Sequence, residues 1–103
     1  MAKRVIVWTE TAIRQRREIL KYWTLRNKST AYAEKLIKLI ASRTKVIMKN
    51  PEAFKMADFP ETRVSSLGHF SIVYKVTETQ LIITAFWDNR QDPKELLALI
   101  KKH

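Results

Sequence analysis

The 103-residue chain contains no cysteine, one glycine and three prolines. Without cysteine it has no disulfide, no zinc–thiolate site and no thiol nucleophile. An intracellular protein fits that absence. A single glycine rules out the Gly-rich loops that cradle phosphates. So little glycine and proline also argues against a disordered or loop-rich scaffold. Long apolar runs are missing as well: Met1-Ala2-Lys3-Arg4 leads into only four apolar residues, Val5 to Trp8. That is too short for a signal peptide or a membrane span, so a cytoplasmic protein with no membrane role is expected. No His/Asp/Glu cluster has metal-ligand spacing, and no Ser/His/Asp arrangement stands out. Neither a metal nor a cofactor is expected.

Acidic residues are in deficit too. Ten Asp and Glu face twenty Lys and Arg, for a formal charge of +10. That excess favours polyanionic partners such as nucleic acid or an acidic protein. What the chain does have is apolar residues, at 46%. This is enough to build one core, and the length suits one domain over residues 1–103.

Val5-Ile6-Val7-Trp8 reads as a short buried strand. Thr9 then caps a helix over Thr9–Arg26, with Glu10 in its first turn. Ser29 or Thr30 caps a second helix, Thr30–Lys49. Its apolar stripe, Ala33, Leu36, Ile37, Ile40, Ala41, Thr44 and Ile47, follows helical spacing. Lys35, Lys38, Arg43 and Lys45 fall on the outer side, and Asn50-Pro51 ends the helix. A short connection makes the two an antiparallel hairpin. Residues Pro51–Pro60 read as irregular. Strands follow at Thr62–Leu67, Phe70–Val76 and Leu81–Trp87, with a tight turn at Gly68 and a hairpin turn at Thr77–Gln80. Asp92-Pro93-Lys94-Glu95 is a capping box that opens a short helix to His103. The order of elements implies an α+β domain with the helices on one sheet face.

The phrases Tyr22-Trp23, Ala33 with Leu36, Asn50-Pro51, Arg63, Leu67-Gly68, Ile72-Val73-Tyr74 and Phe86-Trp87-Asp88-Asn89-Arg90-Gln91-Asp92-Pro93 occur in that order. Together they resemble the RelE/ParE superfamily of toxins from type II toxin–antitoxin systems, over nearly the whole chain. The resemblance implies a toxin that arrests growth unless a cognate antitoxin covers it, within a toxin–antitoxin hetero-oligomer. RelE-like members cut messenger RNA on the ribosome. ParE-like members act on DNA gyrase and are not nucleases. A basic nucleic-acid-binding domain without toxin activity is the third possibility.

Metal-free RNA cleavage needs a base, an acid and stabilisation of the phosphorane charge. By resemblance Arg63 and Arg90 stand where RelE-like nucleases carry basic sheet residues, and Lys49 and Lys55 lie near further ones. On that branch the two arginines are catalytic and converge on one sheet face. Lys55, the turn residue His69 and Asp88 are weaker candidates, and Glu52 is a conceivable base. Asp88 also suits an ion pair with Arg90 or Arg63. RelE-like nucleases place a tyrosine or histidine on or after the last strand. Here the last tyrosine is Tyr74 and the only later histidine is His103, which directs the expectation to the ParE-like branch. Trp87, Arg90, Lys94 and Lys101 are then the candidate partner contacts, and Trp8 and Trp23 are core.

Overall fold

The computed structural model describes residues 4–90. The expected helix at Pro93–His103, with Lys94 and Lys101, lies outside those residues. Within them the order is β1 (Val5–Trp8), α1 (Glu10–Asn27), α2 (Ala31–Lys49), β2 (Lys55–Met56), β3 (Arg63–Leu67), β4 (Phe70–Val76) and β5 (Gln80–Asp88). The five strands form one sheet in the order β1-β5-β4-β3-β2. β1 runs parallel to β5 and the other neighbours are antiparallel. The expected α+β architecture is present, with β2 as an addition. A strand of two residues carries too little pattern to be read as one.

Local chemistry sets the element boundaries. Thr9 is extended and its hydroxyl accepts the Ala12 amide at 3.2 Å, capping α1. Its backbone amide meanwhile donates to the Ile83 carbonyl at 3.0 Å, so the helix starts where β1 leaves the sheet. α1 closes on Lys28 at φ 52°, in the left-handed region. For α2 the capping side chain is Ser29, whose hydroxyl accepts the Ala31 amide at 3.1 Å; Thr30 makes no such bond. Gly68, at φ +61°, occupies the first central position of the β3–β4 hairpin, the place a type II′ turn reserves for glycine.

Ala33, Leu36, Ile40, Thr44 and Ile47 of α2 are buried. They pack over the inward side chains of the sheet: Phe70, Ile72 and Tyr74 of β4, and Leu81, Ile83 and Phe86 of β5. The expected stripe is narrower than its spacing suggested. Ile37 is 50% exposed and Ala41 is exposed as well. Both lie on the flank of α2, beyond the arc that meets the sheet. Arg43 also departs from expectation. It is half-buried, donates to the Ser65 hydroxyl at 2.9 Å and to the Ser66 carbonyl, and so ties α2 to β3. β1 is not fully buried either, with Val5 62% exposed. Among the described residues it is an edge strand, with β5 as its one neighbour.

β5 contains a bulge. Val73 stands opposite Ala85 and Tyr74 opposite Ile83, leaving Thr84 as the extra residue. The insertion switches the alternation. Leu81 and Ile83 face the helices before it, and Phe86 faces them after it. On the opposite sheet face Val73 and Ala85 form a second cluster with Phe59 and Val64. Among the described residues no helix is long and apolar enough to cross a membrane.

Candidate functional site

A cavity of about 570 Å³ lies between α1 and the last residues of β5. α1 contributes Arg14, Gln15, Glu18, Ile19, Tyr22 and Trp23; β5 and its extension contribute Phe86, Trp87, Asp88 and Arg90. The helical spacing of 15, 18–19 and 22–23 turns those residues to one side of α1. Trp23 was expected in the core but is only partly buried at its margin, because its ring also forms a wall of this cavity. It meets Tyr22 edge-on at 5.2 Å and Tyr32 at 5.2 Å. Two guanidinium groups lie against it, Arg90 at 5.2 Å and Arg26 at 5.8 Å.

Arg90 is locked to Asp88 by two bonds, Nε to Oδ1 at 2.9 Å and Nη2 to Oδ2 at 2.7 Å. Its backbone amide adds a third, to Oδ1 at 2.9 Å. This side-chain pairing holds the Asp88 carboxyl below the usual carboxylate range, assisted by the Arg90 amide, the Arg90 charge and His69. Burial opposes the shift. The same pairing raises Arg90. A carboxylate so stabilised is a weak general base. His69 is exposed in the β3–β4 turn, and its carbonyl accepts the Asn89 amide at 2.8 Å. Ser71 donates to Asn89 Oδ1 at 2.7 Å. Trp87 is buried opposite Ser71.

Arg63 belongs to the other end of the sheet. It stands opposite Tyr74 on β4 and Met56 on β2, with Lys55 exposed beside it at the sheet edge. Its Nη1 donates to the carbonyls of Phe54 at 2.8 Å and Glu52 at 3.1 Å. The Tyr74 hydroxyl donates to the Pro51 carbonyl at 2.6 Å. Arg63 and Tyr74 thus staple the segment after α2 to the sheet. The expected convergence of Arg63 and Arg90 is not found. β4 pairs with Arg63 at Tyr74 and with Asp88 at Phe70. Four residues of strand separate those levels by about 13 Å. Lys55 and Glu52 fall with Arg63, while His69, Asp88 and Trp87 fall with Arg90.

Burial pushes the Tyr74 phenol above its ordinary value, against a smaller opposing pull from the Arg63 charge. The folded chain therefore keeps this proton when the unfolded chain has released it, above about pH 10. The resulting stabilisation is complete below that pH and is lost as pH rises through the folded value. Urea unfolding from neutral pH to above about pH 10 is expected to show this loss in the native chain. Tyr74→Phe should lack that component, and an identical alkaline profile in the two proteins would contradict it.

Gln15 was not among the residues expected to matter. Its Oε1 accepts the Phe86 amide at 2.9 Å, across 71 positions of chain. A lone glutamine on a helix gives no sign of a partner so distant. Among the described residues no group of three or more His, Cys, Asp or Glu is placed to hold a metal ion.

Comparison with known proteins agrees with this architecture. The family model described as the ParE toxin of type II toxin–antitoxin systems, parDE, matches residues 6–93. The chain belongs to that family, and is the toxin component of a type II toxin–antitoxin pair. Among solved structures it resembles a chain described as the chromosomal ParDE TA system from P. aeruginosa. The TM-score is 0.70 at 19% identity, covering 82% of this chain and 94% of that one. A search of curated proteins found no match.

Proposed function

We propose that this toxin arrests growth by protein–protein contact with DNA gyrase and not by cutting RNA, and that a cognate antitoxin holds it silent in a cytoplasmic hetero-oligomer. The carrying observation is the separation of Arg63 from Arg90. A nuclease needs its cationic groups at one phosphate. Here the two lie at opposite ends of the sheet, one spent on backbone carbonyls and the other on Asp88. Family membership supports the gyrase target, since ParE-like toxins act there. The partner-facing residues in this reading are Arg90 and, on the segment beyond, Lys94 and Lys101; Trp87, expected among them, is buried and supports the end of β5 from within.

The test is DNA supercoiling by purified gyrase, titrated with the toxin. Inhibition that rises with toxin and is reversed by the antitoxin is expected. Full supercoiling activity at saturating toxin would refute the proposal.

A further inference from the structure

We infer that the outer face of α2 is a rail for duplex DNA, where Lys35, Lys38, Lys45 and Lys49 contact the phosphates of one strand without reading its sequence. The choice of DNA among phosphate polymers rests on the proposed gyrase target, whose substrate is duplex DNA. The phosphate contact itself does not.

Positions 35, 38, 42, 45 and 49 recur at intervals of three and four residues, so they share one side of α2. Lysine occupies four of them and Ser42 the fifth. With about 3.6 residues per turn, that side points away from the buried stripe of Ala33, Leu36, Ile40, Thr44 and Ile47. All four lysines are exposed. From Lys35 to Lys49 the row runs about 21 Å, roughly the rise of six nucleotides along one strand. Among the described residues the one ion pair joins Arg90 to Asp88, so no described carboxylate neutralises the row. Glu34 is the one acidic residue of α2. Arg43, its fifth cation, is held instead by Ser65 and Ser66 of β3.

A straight row of fixed positive charge complements a row of phosphates, and the net charge of +10 steers the chain toward it. A lipid surface fits less well. A helix lying in a membrane inserts its apolar face, and that face of α2 is already packed on the sheet. Leu39 and Val46 alone flank the row, 42% and 47% exposed. Single strands are gripped by aromatic stacking. The one aromatic of α2, Tyr32, is partly buried against Trp23. Lysine meets phosphate as a point charge, which suits a backbone contact with no sequence preference. Such a contact would hold the toxin on the DNA that gyrase handles and raise its effective concentration there.

The test is binding of the full-length chain to a short mixed-sequence DNA duplex over a range of salt. Affinity should fall with a log–log slope of about −3.6, the value for four neutralised phosphates. Lys38→Gln combined with Lys45→Gln should bring that slope to about −1.8 and weaken binding at low salt by about tenfold or more. The thermal midpoint should stay nearly unchanged, because both side chains are exposed. If it drops, Lys35→Gln with Lys49→Gln supplies the comparison. Lys55→Gln with Lys75→Gln removes the same charge from β2 and β4 and should leave the slope near its native value. No binding to the duplex would overturn the inference. Equal weakening by the β2 and β4 pair would do so too, since net charge alone would then explain the attraction. Tighter binding to an RNA duplex, or to anionic phospholipid vesicles, would also overturn it. Gyrase is absent from this assay. Inhibited supercoiling without DNA binding sinks the rail and leaves the gyrase proposal standing, and DNA binding without inhibition does the reverse.

Discussion

Ile40→Ala is expected to destabilise the fold by about 2–5 kcal/mol, the range for truncating a well-packed core side chain. Ile37→Ala, three residues earlier, is expected to change stability by less than about 0.5 kcal/mol. The two side chains are the same and share one helix, so propensity cancels. Ile40 is 4% exposed and packs with Leu36 and Ile47 over the sheet, whereas Ile37 is 50% exposed. Urea unfolding of the two variants measures the difference directly. Similar losses at both positions would mean that α2 meets the sheet along a different arc.

Arg63→Ala should cost about 1.5–3 kcal/mol, because it strips charge-assisted donors from the Glu52 and Phe54 carbonyls. Tyr74→Phe should cost about 1–3 kcal/mol by leaving the Pro51 carbonyl without its hydroxyl donor. The two side chains restrain one short segment, so the double variant should depart from additivity. Arg63→Lys should recover only part of the loss, since a compact ammonium does not reproduce the planar donor geometry. Growth arrest should then track the folded fraction in each variant. A catalytic Arg63 would behave differently: activity would fall by about 10²–10³ with stability nearly unchanged.

Much of this fold is legible in the sequence. Period-two spacing marks β4, helical spacing marks α2, Thr9 marks the start of α1, and Gly68 marks its turn. What escapes is whatever depends on pairing between distant segments. The Thr84 bulge is such a case, because strict alternation from Ile83 would have sent Phe86 away from the core. The exposure of Val5 is another. An apolar run looks alike in a central strand and an edge strand, and only the sheet order distinguishes them. At the site, the Asp88–Arg90 pair is local, two residues apart where β5 ends, and is readable from the sequence. The cavity is not. It needs Gln15 and Trp23 from α1 brought against the end of β5. The positions of Arg63 and Arg90 follow the same rule. Both lie on strands of one meander, but register decides whether strand residues meet, and here it sets them at opposite ends.

The most direct test of a non-nuclease toxin is to map the 5′ ends of ribosome-bound messenger RNA after incubation with the purified native chain. The expected result is a pattern identical to that without toxin, from protein that still arrests growth in cells lacking the antitoxin. Specific cleavage by the native chain, abolished by Arg90→Ala, would contradict it.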